Sequence, residues 1–146
     1  MRTIAAIAVL MLLGFAALAG DSAADLKAMQ GQWSVTIVER DGKPAGDELK
    51  NVKLVLLVTG DEYRVLADDK AVAGGKFKID AGKTPRRLDA SITEGPNKGL
   101  MQQAIYEIKG DTMTAVYAKP GAARPTELKT KEDSGQSLVR YTRIKK

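Results

Sequence analysis

From Trp33 to Ile144 the chain is a series of short segments in which apolar and polar residues alternate, each closed off by glycine, proline, asparagine or aspartate. A period of two puts successive side chains on opposite faces of an extended backbone, so each segment reads as a half-buried antiparallel strand. Trp33, Val35 and Ile37 alternate with Ser34 and Thr36, and Tyr63, Val65 and Ala67 with Arg64 and Leu66. Between Val72 and Ile79, Phe77 and Ile79 point in while Lys76 and Lys78 point out, and Gly74-Gly75 suits a bulge or sharp bend. Leu88, Ala90 and Ile92 form the next inward set, followed by Ala104, Tyr106 and Ile108, and then Met113, Ala115 and Tyr117. Val139, Tyr141 and Arg143 share one face of the last strand, Ser137 to Ile144. The segment from Val52 to Val58 is apolar on both faces, so the pattern leaves its inward face open.

That makes eight strands, with turn chemistry at Gly60-Asp61, Asp68-Asp69-Lys70, Ala81 to Pro85 and Lys109-Gly110-Asp111. Asp25 to Gln30 reads as one or two helical turns ended by Gly31, and Asp47 to Lys50 as a single turn within a long connection. No crossover helix is long enough for parallel pairing. The fold class is all-β, a sandwich or a closed barrel.

The first twenty residues follow different rules. Arg2 supplies a positive start, Ile4 to Leu18 is almost wholly apolar, and Ala17-Leu18-Ala19 is a small-residue cleavage site. The expectation is a signal peptide over 1–19, cleavage between Ala19 and Gly20, and one exported domain over 20–146, periplasmic or extracellular. A run this short, ended by Gly20-Asp21, does not suit a membrane anchor, and with no cysteine in the chain lipid attachment through one is excluded. The domain must hold by core and hydrogen bonding alone. Lys and Arg number 23 against 18 Asp and Glu, and they are interspersed, which describes a solvated surface. Nucleic acid is not an expected partner, and the domain is expected to be a monomer.

Histidine is absent as well. That removes Ser-His-Asp and Cys-His catalysis and imidazole-based zinc sites. The carboxylate pairs Asp61-Glu62, Asp68-Asp69 and Glu132-Asp133 lie beside turn residues and read as solvated turns. Gly95-Pro96-Asn97-Lys98-Gly99 lacks the strand-loop-helix context of a phosphate loop and reads as a hairpin connection. Arg124 in Arg124-Pro125-Thr126-Glu127 suits either an anion clamp or a local pair with Glu127, and the local pair is the favoured reading. No catalytic residue, metal or cofactor is expected.

The short helix followed by Gly31-Gln32-Trp33 at the head of the first strand is similar to the opening of lipocalin-like barrels. The resemblance implies an eight-stranded antiparallel up-and-down barrel, with Trp33 closing one end and Arg143 lying across its ring. Four stretches together resemble an uncharacterised family of exported domains expanded as paralogues in planctomycete bacteria. They are Met29 to Trp33 with Asp41 to Pro44, Ile92 to Gly99, Ile105 to Thr112, and Lys119 to Gly121 with Arg124 to Glu127. The family carries Leu where Met29 stands, and often a cysteine in the strand reading Thr114-Ala115-Val116. What this implies is architecture and compartment; it brings no functional residue.

Tyr63, Tyr106 and Tyr117 all fall on inward faces, where a hydroxyl needs a partner. Core packing meets that need, and so does a bound molecule. An eight-stranded barrel has room for side-chain filling or for one small ligand, and the inward set is rich in alanine and valine. Two functions follow. One is a non-catalytic barrel binding a small apolar ligand, with the three tyrosines as polar handles. The other is an envelope module that docks to a protein or cell-wall polymer through its loops. A continuous cavity of about 300 Å³ or more favours the first, and a packed interior with an apolar rim favours the second. The open end is expected opposite Trp33, rimmed by connections such as the turn after Gly60 or Lys109-Gly110-Asp111.

Overall fold

Regular structure begins at Asp21, whose carboxylate accepts from the backbone N–H groups of Ala23 at 2.9 Å and Ala24 at 3.2 Å. This caps helix α1, Ser22–Met29. The helix starts three residues before the apolar spacing of Leu26 and Met29 suggests, because the cap sets its origin. The computed structural model describes residues 21–44 and 50–145. The expected signal peptide, its cleavage site and the turn at Asp47 to Leu49 lie outside them.

Strand β1, Gly31–Arg40, follows the helix directly, and a two-residue strand β2, Lys43–Pro44, pairs with its far end. The other strands are β3, Leu54–Thr59; β4, Glu62–Ala67; β5, Lys70–Asp80; β6, Arg86–Glu94; β7, Met101–Lys109; β8, Thr112–Tyr117; and β9, Ser137–Arg143. Each of β3 to β8 pairs antiparallel with the next, β1 pairs with β3, and β1 also pairs with β9. The last pairing closes the sheet. The fold is an eight-stranded antiparallel up-and-down barrel with one short helix among the described residues, and closure leaves no long free edge.

Register departs from simple alternation at three places. In β1, Val35 faces Tyr141 while Ile37 faces Arg140, so Thr36 is an extra residue, and its hydroxyl donates to the Arg140 carbonyl at 3.1 Å. A one-residue insertion exchanges the faces beyond it. Ile37, expected inside, is therefore 40% exposed, and Val38 stands opposite Val139 instead. Val72 is the extra residue in β5. Thr93 is the extra residue in β6, at the shift beside Gly74 and Gly75. A side chain at Gly75 would bring its Cβ to 2.1 Å from the Ser91 carbonyl oxygen, so only glycine admits β6 there. The strand apolar on both faces turns Leu56 and Val58 inward and starts at Leu54 rather than Val52.

Hairpin connections alternate between the two ends of the barrel. At the Trp33 end lie α1, the turn at Gly60-Asp61, the Ala81 to Pro85 segment and the Gly110-Asp111 turn. The Gln30 amide ties the helix to the first of these, donating to the Gly60 carbonyl at 3.0 Å and accepting from the Gly60 N–H at 2.6 Å. Ser22 accepts from the Ala81 N–H at 3.0 Å. The expected rim turns at Gly60 and Lys109 to Asp111 thus lie at the end Trp33 closes. From β1, every second connection returns there, and these are among them.

The β8–β9 connection does not protrude. It folds back over the outside of β7, β8 and β9, where Leu128 covers Ile105, Val116 and Leu138. Arg124 fastens it by donating to the carbonyls of Leu88 at 3.1 Å and Ala104 at 2.9 Å and to the Asp89 carboxylate at 2.5 Å. Glu127 pairs with Lys129 instead. The expected local Arg124–Glu127 pair does not form, since carbonyls of strands distant in sequence lie within the guanidinium's reach.

Candidate functional site

Trp33 is fully buried, and its indole N–H donates to the Met29 carbonyl at 2.9 Å. Arg143, its cross-strand partner, lies over the ring with the guanidinium carbon 4.3 Å from the centroid. The same guanidinium donates to the carbonyls of Ala28 at 2.5 Å and Gln30 at 3.0 Å and to Asp111 at 3.2 Å. A cation there meets the carbonyl-rich C-terminus of α1. Lys145 and Arg143 together hold the Asp111 carboxyl below its usual range. Asp25 takes both oxygens to Arg86, at 2.7 and 2.9 Å, and accepts from the Tyr106 hydroxyl at 2.8 Å. These contacts make α1 and Trp33 the floor of the barrel.

Above the floor is a cavity of about 240 Å³. It runs from Met29, at the end of α1, to Gln102 and Ser137, near the start of β7 and β9 at the opposite end. Leu56, Val58, Val65 and Phe77 line it on one side, Leu88, Met113 and Tyr106 on the other. Ala73, Ala90 and Ala115 also face it, and their short side chains are why space remains where larger residues would meet. Trp33 is not part of the lining, whereas Met29, whose carbonyl accepts from its indole, is.

Tyr63, Tyr106 and Tyr117 all reach this cavity, joined by Tyr141. Their hydroxyls are placed differently. That of Tyr106 is committed to Asp25, so only its ring faces the space. The hydroxyls of Tyr117 and Tyr141 are hydrogen-bonded to each other at 2.8 Å. Tyr63 stands edge-on to Phe77, with centroids 6.4 Å apart, and its hydroxyl has no hydrogen-bond partner among the described residues. It is nonetheless near enough to be felt electrostatically by both Tyr117 and Tyr141. Burial pushes the Tyr117 phenol up to about 12 and raises that of Tyr63. Burial first, then the neighbouring Tyr117, raises that of Tyr141 well above its ordinary value. Burial and the Asp25 carboxylate do the same for Tyr106.

Sequence reasoning missed Tyr141, Gln102 and the Asp25–Arg86 pair. The position of Tyr141 between Val139 and Arg143 on an inward face was the available signal for it. Nothing in spacing pairs residue 25 with residue 86. Among the described residues no cluster of three or more acidic side chains could hold a metal ion, and no helix is long and apolar enough to cross a membrane.

These features define a class: a closed antiparallel barrel, floored by a helix and a tryptophan, with an apolar internal cavity. No protein-family model matches the chain, and no curated protein matches it either. Among solved structures it is similar to apo lipid binding protein 8 of Caenorhabditis elegans, at 8% identity and a TM-score of 0.43, over 81% of this chain and 96% of that one. No residue of the site and no ligand carries over from a likeness of that degree.

Proposed function

We propose that this protein is a non-catalytic binder that holds one small apolar molecule inside its barrel. The observation that carries the reading is the continuous cavity of about 240 Å³ between Met29 and Ser137. It falls short of the roughly 300 Å³ at which drug-sized sites begin, and exceeds the roughly 150 Å³ that suffices for benzene. The ligand is therefore the size of a substituted ring or a short chain. Removing about 200 Å² of apolar ligand surface from water contributes about 5 kcal/mol, which corresponds to a dissociation constant of some hundreds of micromolar. The cavity weighs against the rival reading, a docking module with a filled interior.

The setting belongs to the same proposal. The apolar run and Ala17-Leu18-Ala19 support export with Gly20 as the mature N-terminus, and the four stretches named above support membership in the exported planctomycete family. Exported protein that begins at Met1 would contradict cleavage before Gly20.

Calorimetric titration with isopropylbenzene, a substituted ring of the size the cavity admits, tests binding. We expect one site per chain, lost in Ala90→Leu and Ala115→Leu, which place added methyl groups in the cavity. Absence of binding, or binding unchanged in both filled variants, would end the proposal. Native mass spectrometry of protein purified from its own cells shows whether a ligand travels with it.

A further inference from the structure

We propose that the cavity selects an uncharged ligand bearing a hydrogen-bond acceptor, and that Tyr63, Tyr117 and Tyr141 receive that acceptor. The inference rests on the binding reading above and adds the chemistry of the ligand to it.

The first observation is the absence of charge. Among the described residues that line the cavity there is no Lys, Arg, Asp or Glu. The arginines closest to the floor are committed elsewhere: Arg143 to Trp33, two helix carbonyls and Asp111, and Arg86 to Asp25. A ligand carboxylate would be a buried ion without a counter-charge, at a cost of several kcal/mol. That is comparable to the whole apolar gain available from a cavity of this size.

The second is a count of protons. Three tyrosine hydroxyls carry three donors, and the Tyr117–Tyr141 hydrogen bond uses one. Two remain, one on that pair and one on Tyr63. Burial keeps all three phenols protonated throughout the physiological range. Beyond the tyrosines the lining is polar only at Gln102, whose amide nitrogen donates to the Ala118 carbonyl, and at Ser137, near the opposite end; a ligand acceptor is what engages the two unused tyrosine donors. Ketones, ethers, esters, amides and alcohols meet the requirement. Hydrocarbons fit the shape and leave the donors unused, while carboxylates bring a charge that the walls do not neutralise.

Three probes of nearly one shape separate these cases: isopropylbenzene, acetophenone and benzoate, each titrated calorimetrically at pH 7. We expect acetophenone to bind at least tenfold tighter than benzoate. Benzoate should recover most of that difference near pH 4, where a carboxyl of this kind takes up its proton. Tyr63→Phe should lower the ratio of acetophenone to isopropylbenzene affinity roughly threefold to tenfold, the scale of one hydrogen bond. Because the Tyr63 hydroxyl has no hydrogen-bond partner among the described residues, this variant leaves the fold intact. Tyr117→Phe, checked for folding by circular dichroism, should act in the same direction. If none of the three probes binds, the binding reading fails and this inference fails with it. If isopropylbenzene binds but benzoate equals acetophenone at pH 7, or Tyr63→Phe leaves the ratio unchanged, the acceptor inference alone is overturned.

Discussion

The guanidinium carbon of Arg143 lies 4.3 Å from the centre of the Trp33 indole, and its nitrogens hold the carbonyls of Ala28 and Gln30. One side chain thus joins the first strand, the last strand and the helix that floors the barrel.

Trp33→Ala should cost about 3–5 kcal/mol, a large share of a stability near 5–15 kcal/mol. Arg143→Lys should recover little of the loss caused by Arg143→Ala, because an ammonium cannot cover the ring and fork across two carbonyls at once. Urea unfolding of the three variants measures both effects. A lysine variant as stable as the parent would show that charge alone is needed at this position.

Gly75→Ala should be more damaging than Gly60→Ala. Gly60 has φ of 62° with nothing near its missing side chain, so alanine there meets only backbone strain of about 1–2 kcal/mol. At Gly75 the new Cβ would meet a backbone carbonyl oxygen at 2.1 Å, and main chain must shift, at about 3 kcal/mol or more. Thermal melts of the two variants give the order.

Alkaline stability should follow the tyrosines. All four have phenols raised by burial in the folded state, so the unfolded chain loses its phenolic protons first. The stability tied to these groups is fully present below about pH 10, the ordinary phenol value, and is lost as pH rises through the folded values. Tyrosinate absorbance should appear near pH 10 in urea. In buffer it should appear only toward pH 12 or together with unfolding. Coincident curves would contradict the buried phenols.

Arg124→Ala should release the β8–β9 connection without emptying the cavity. Losing charge-assisted hydrogen bonds to Leu88, Ala104 and Asp89 costs about 1.5–3 kcal/mol and uncovers Ile105, Val116 and Leu138 on the outer wall. Limited proteolysis should then cut within 119–136 while isopropylbenzene binding persists. Resistance equal to that of the parent would mean that Leu128 and the buried Pro125 suffice to hold the connection.

The alternation of Leu88, Ala90 and Ile92, or of Met113, Ala115 and Tyr117, made the strands and their inward faces legible, because a half-buried sheet imposes its period on sequence. Ile37 misled for the same reason: an inserted residue leaves the pattern intact while turning the strand over. The long polar segment after Tyr117 carries no alternation that would set it against the barrel. What recruits it is a guanidinium reaching carbonyls of β6 and β7, and main-chain acceptors have no sequence signature. At the site, the inward tyrosines were visible as positions. Which hydroxyl stays unengaged was not, since Tyr106 is occupied by a carboxylate 81 positions away.

The floor joins α1 and β1 to a residue of β9, with Arg143 synthesised 113 positions after Gln30. Helix α1, eight residues long, is too short to persist alone; its carbonyls have no guanidinium to hold them until Arg143 arrives, and β1 lacks its pairing along one edge until β9 exists. The barrel therefore cannot be completed piecemeal from its beginning. Partly made chains carry an unroofed sheet with both margins exposed, and native order arrives in one late, long-range step.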